Sequence, residues 1–134
     1  MTIVVGFIPN QYGRAALTAG ISEARLRGLK LVVVNTSKGD SLADPLVASA
    51  DVMEALEAEL TTLETGYEIR QTDGAQSGGA GIAEQIVEIV RETDASLLVI
   101  GLRHRTTIGK LIMGSTAQTL LLDCPCPVLA VKAT

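Results

Sequence analysis

Residues 2–35 read TIVVGFIPNQYGRAALTAGISEARLRGLKLVVVN. A short β-branched run (2–8) and a second one (29–35) bracket a segment in which Ala16, Leu17, Gly20, Ile21 and Ala24 recur at helical spacing. Apolar residues three and four apart share one face of a helix, whereas a short unbroken apolar run fits a strand covered on both sides. The stretch therefore predicts a strand, a helix and a second strand. Gly28 closes the helical pattern, because glycine enters the left-handed conformation at a helix C-terminus without a Cβ clash.

The same alternation continues. After the polar stretch NTSKGDSLAD (35–44), Val52, Leu56, Leu60 and Leu63 mark one face of a second helix, which Gly66 is expected to stop. YEIRQT (67–72) alternates as a half-buried strand near a sheet edge does. AGIAEQIVEIVRETD (80–94) is a third amphipathic helix with Ile82, Ile86, Ile89 and Val90 facing in, and ASLLVIG (95–101) is apolar enough for a central strand. The glycines of TDGAQSGGAG (72–81) follow an edge-like strand and read as a connection before that third helix. Ser115 and Gln118 fit the S-x-x-Q capping box, so a fourth helix should run from Ser115 to Asp123. The residue before a proline is pushed to extended geometry, so Pro125 and Pro127 end it and VLAVKA (128–133) forms a fifth strand.

This order predicts one domain over residues 1–134. Its class is α/β: a three-layer α/β/α sandwich with a five-stranded, mostly parallel, doubly wound sheet and right-handed crossovers. The first strand is expected in the centre with the later strands on its other side. A ligand crevice then opens at the carboxyl ends of the first and fourth strands, where the winding reverses. Residues 8–13 and 101–115 would border it.

Hydrophobic residues make up 47% of the 134 and charged residues 19%, a globular composition. Aromatic residues are limited to Phe7, Tyr12 and Tyr67, so the core must come from Val, Ile, Leu and Ala. A net charge of -4 disfavours nucleic acid, which needs a basic face. No stretch approaches the roughly 18 apolar residues of a membrane span, and the expectation is a soluble cytoplasmic protein without a membrane partner. Cys124 and Cys126 have neither redox nor zinc spacing and read as small semi-buried thiols, with no metal site built from protein alone.

The sharpest local signal is GLRHRTTIGKLIMGST (101–116). It starts where a doubly wound sheet binds ligands and ends at a helix N-terminus, where free amides and the helix dipole favour an anion. Arg103, Arg105 and Lys110 would add positive charge, and Ser115 and Thr116 could donate hydroxyl hydrogen bonds to phosphate. Turn-forming glycines in a solvated basic loop account for the same residues. The spacing is not that of a Walker loop, since Leu111 follows Lys110. The single histidine, His104, has no carboxylate or nucleophile placed beside it by sequence, and the expectation is a protein that is not an enzyme.

The whole layout, and these residues above all, resembles the universal stress protein family. The family pattern is glycine, two residues, glycine, nine residues, glycine, then serine or threonine. Here it reads Gly101, two residues, His104, nine residues, Gly114 and Ser115, and CPCPVLAV (124–131) resembles the family's approach to its last strand. The match covers nearly the full chain. It implies a Rossmann-like fold of the adenine nucleotide alpha hydrolase-like type, and a bound adenine nucleotide, ATP first, with magnesium entering alongside it. The residues implied are Pro9, Asn10, Val34, Gly101, Arg103, His104, Gly114, Ser115 and Thr116, the base resting on packing and on backbone groups near Val34 and Asn35.

Two positions depart from the pattern. His104 replaces the middle glycine, and Ile8 stands where nucleotide-binding members carry an acidic residue. They motivate a second reading, a dimeric interaction module that binds no nucleotide. Both readings include a homodimer. Many family members pair through the fifth strand, and here Val128, Leu129, Ala130 and Val131 would leave an apolar edge that a two-fold copy could close.

Overall fold

The structure, a computed structural model, describes residues 1–8, 10–36, 50–72, 79–102 and 115–132. Five parallel strands form one sheet among them: β1 (Thr2–Phe7), β2 (Lys30–Asn35), β3 (Tyr67–Gln71), β4 (Ala95–Leu102) and β5 (Val128–Lys132), in the order β3-β2-β1-β4-β5. Four helices join them: α1 (Gln11–Arg27), α2 (Ala50–Leu60), α3 (Gly79–Glu92) and α4 (Ser115–Asp123). The class, the central place of β1 and the edge position of β3 are as the sequence predicts.

Successive side chains of a strand point to opposite faces, and that alternation builds two cores here. Ile3, Val5 and Phe7 of β1, with Leu31 and Val33 of β2, pack under Leu17 and Ile21 of α1 and Leu56 and Leu60 of α2. Val4, Val32 and Val34, with Leu98 and Ile100 of β4, pack under Ile86 and Val90 of α3 and Leu120 of α4. Phe7 apart, aliphatic side chains fill the buried part of both layers, so the scarcity of aromatic residues is no obstacle to a packed interior.

Local chemistry sets the helix ends. Gly28 adopts φ 66°, and its N–H donates to Ala24 O, closing α1 as expected. The second helix ends earlier than the sequence suggests: α2 stops at Leu60, and Gly66 lies beyond a turn. The reason is two threonines, whose hydroxyls turn back on the backbone and compete with helix continuation: Thr61 donates to Ala58 O and Thr62 to Glu59 O, each at 2.8 Å. Leu63 still reaches the α1/α2 core. At the other end of the chain, α4 begins with Ser115 as its first helical residue. Ser115 therefore does not stand at the capping position that the expected capping box gives it.

The two sheet edges differ. On β3, Glu68 pairs with Arg70 and with Lys30 of β2 (3.2 Å), and Arg70 reaches Glu92 of α3 at 2.7 Å. Hydrogen bonds first from Arg70 and then from Lys30 hold the Glu68 carboxyl below its ordinary range. Charge on an edge strand discourages pairing with another sheet. Strand β5 exposes Leu129 instead, with Val128, Ala130 and Val131 partly buried beside it.

The CPCP turn enters β5 with its thiols half-buried, as predicted. Cys126 is pushed up to about 12, chiefly by burial and then by its hydrogen bond with Cys124.

Candidate functional site

The winding reverses between β1 and β4, and the chain leaving β1 shapes the border of that crevice. Asn10 is extended (φ -145°, ψ -177°), and its Oδ1 accepts from the amides of Tyr12 and Gly13, both at 3.0 Å. Its backbone N–H donates to Ile8 O at 2.7 Å, while Arg14 N–H donates to Asn10 O at 2.9 Å. The first turn of α1 is thus capped by the chain itself. The side-chain nitrogen of Asn10 keeps its capacity to donate.

The two loops expected to flank the crevice come together at their described ends. A Cβ added to Gly101, near the end of β4, would stand 2.2 Å from Tyr12 O in α1. A Cβ added to Gly13 would stand 1.8 Å from Ile8 O. Both glycines are therefore demanded by backbone packed against backbone. At Gly101 the group in close approach is helix α1, a reason for glycine that the sequence motif does not contain.

Helix α4 contributes the third border. Strand β5 runs parallel to β4, with Val128 opposite Leu98 near the start of that strand. Helix α4 must return the chain to that amino end, so its own N-terminus, at Ser115 and Thr116, points toward the carboxyl edge of the sheet. Pro9, Arg103, His104 and Gly114 lie outside the described residues, as do Arg105 and Lys110.

Val34 is fully buried on the α3/α4 face. Polar chemistry at this end of β2 belongs to the next residue. Asn35 is 2% exposed; its Nδ2 donates to Gln71 Oε1 at 2.9 Å and to Met53 Sδ of α2 at 3.8 Å, and its Oδ1 has no hydrogen-bond partner among the described residues. The backbone acceptors around it are taken. Thr72 donates to Asn35 O through N–H (3.2 Å) and Oγ1 (3.4 Å), and Thr36 donates to Phe7 O through N–H (2.9 Å) and Oγ1 (3.3 Å). An orphaned buried acceptor costs about 1–3 kcal/mol, which a donor reaching Asn35 Oδ1 would relieve. Sequence reasoning reached this position only for its backbone; the available signal was a polar side chain ending a run of four apolar strand residues.

A groove of about 990 Å³ between α3 and α4 has a different character. Glu84, Glu88, Glu92 and Asp123 line it against a single cation, Arg91, a balance that disfavours phosphate. Among the described residues no group of three or more His, Cys, Asp or Glu could hold a metal ion, and no helix is long and apolar enough to cross a membrane.

The sequence profile of the universal stress protein family matches residues 1–132. The chain belongs to the universal stress protein family. It is 44% identical over 130 residues to a universal stress protein of Mycolicibacterium smegmatis, an alignment spanning 97% of this chain and 96% of that one. A solved universal stress protein of Archaeoglobus fulgidus is 28% identical with a TM-score of 0.65, covering 98% of both chains. A universal stress protein from the same organism, solved in complex with dAMP, is 23% identical with a TM-score of 0.57, again over 98% of both chains.

In this universal stress protein the two capacities of Asn10 can be separated. Asn10→Ala removes a cap from two amides and is expected to cost about 1–2 kcal/mol in urea unfolding. Asn10→Asp keeps the capping oxygen and should retain that stability while losing the amide donor. A stability loss equal to that of the alanine variant would show that the cap does not act through Oδ1.

Proposed function

We propose that this protein is a regulatory homodimer, without an enzymatic role of its own, that binds an adenine nucleotide at the carboxyl ends of β1 and β4. ATP is the first candidate, with magnesium brought by the nucleotide. The observation that carries the reading is the unpartnered Oδ1 of Asn35 at the end of β2, next to β1. An acceptor there suits the exocyclic amino group of adenine, which inosine and guanine nucleotides replace by another acceptor. The dAMP complex of the archaeal relative supports the ligand class. In this reading Pro9 and Asn10 border the sugar, and the residues from Gly101 through Arg103 and His104 to Gly114, Ser115 and Thr116 surround the phosphates. Val34 contributes as packing beneath the base rather than as a direct contact.

Dimerisation rests on the contrast between the edges. Strand β3 carries an ion network, whereas β5 offers Val128, Leu129, Ala130 and Val131, and two copies pairing antiparallel about a two-fold axis would cover them. Light scattering at micromolar concentration should return the dimer mass; a monomer would remove this part of the proposal.

Calorimetric titration with ATP, ADP, AMP, cyclic AMP and ITP, with and without magnesium, tests the ligand. Adenine nucleotides should bind about tenfold more tightly than ITP, the equivalent of one good hydrogen bond, and Asn35→Val should erase that preference. One feature favours the second reading, a dimeric interaction module: Ile8, at the position of the family's acidic residue, brings only an apolar side chain there. Silence for every nucleotide up to millimolar, with the dimer intact, would establish it.

A further inference from the structure

Outside the crevice, Cys124 and Cys126 present two sulfur atoms 3.6 Å apart in the turn between α4 and β5. The geometry points to a two-thiolate chelation site, Cys124 Sγ and Cys126 Sγ, for a soft thiophilic metal ion.

The local sequence explains the convergence. Pro125 fixes its own φ, and Pro127 biases Cys126 away from helical geometry, so the bend between α4 and β5 is stiff. Cys124 and Cys126 are partly buried and pack against the α3/α4 core, while Pro125 and Pro127 are exposed. The N–H of Leu98 donates to Pro127 O at 3.0 Å and anchors the turn to β4. Both thiols thus face one way from a short, stiffened segment.

Distance selects among the possible chemistries. A disulfide requires sulfur atoms about 2.05 Å apart, so the pair would have to close by roughly 1.5 Å. Two thiolates on a tetrahedral ion with bonds of about 2.3 Å stand roughly 3.8 Å apart, within a few tenths of an ångström of the observed pair. Thiolate pairs select soft ions over magnesium or calcium, which prefer oxygen. On binding, each S–H bond is replaced by an S–metal bond and two protons leave to solvent, so a divalent cation becomes a neutral dithiolate. Water completes the coordination, since no third His, Cys, Asp or Glu joins the pair among the described residues.

The probe is cadmium, which is redox-inert and gives an ultraviolet sulfur-to-metal charge-transfer band. Titrated into the reduced full-length chain, it should give that band with one ion per chain and raise the thermal midpoint. Cys124→Ser and Cys126→Ser should each weaken binding at least tenfold and abolish the midpoint shift, with Cys→Ala variants checking that folding is preserved. Absence of the band at 100 µM cadmium, as an order-of-magnitude ceiling, would overturn the assignment. Equal binding by either single variant would overturn it too, because one thiol would then suffice.

Discussion

Gly13→Ala should be among the most damaging single substitutions in this protein, costing roughly 3–4 kcal/mol or more and lowering the thermal midpoint by about 10 °C. The added methyl would lie 1.8 Å from Ile8 O and 2.5 Å from Ile8 N. Both obstacles are backbone, so no side-chain rotation relieves them; the turn leaving β1 must open or α1 must shift. Either movement breaks the bonds that Asn10 Oδ1 makes to the Tyr12 and Gly13 amides. Alanine is otherwise the best helix former, so propensity alone predicts a gain of up to about 1 kcal/mol inside a helix. Chemical denaturation therefore decides between opposite signs. A stability equal to or above that of the parent would mean that the turn has room the structure does not show.

Gly101→Ala is expected to cost roughly 3 kcal/mol, and to do so whether or not nucleotide is present. Its Cβ would meet Tyr12 O at 2.2 Å and Tyr12 C at 2.7 Å, pushing the end of β4 away from the first turn of α1. The family motif assigns this glycine to ligand contact. If that were its sole role, the variant would unfold normally in the absence of nucleotide and merely bind weakly. Denaturation without ligand separates the two, and a parent-like midpoint there would return Gly101 to the ligand alone.

These expectations show where sequence reading succeeds. The strand at 2–7 and the helix at 11–27 are legible because their signals are local: β-branched runs, a 3.6-residue apolar period and a capping glycine. The edge position of β3 is legible for the same reason, since its alternating pattern leaves one face partly wet. The end of α2 was less so, because Leu63 continues the apolar spacing while the hydroxyls of Thr61 and Thr62 draw the backbone into a turn. Spacing and family resemblance name Asn10, Gly101 and the start of α4 as candidate ligand contacts. The need for glycine at 101 is not legible in them, since it comes from a helix early in the chain.

By itself, the sequence determined the order of the described elements, the mostly parallel sheet and the place where its winding reverses, because period, caps and turns act over a few neighbouring residues. Only tertiary structure decided which groups meet across that distance. It set Gly101 against Tyr12, consumed the carbonyls of Phe7 and Asn35 while leaving Asn35 Oδ1 alone, and turned two thiols toward each other at 3.6 Å. Such contacts depend on how rigid elements pack and on which polar groups are already satisfied, quantities that no local pattern carries.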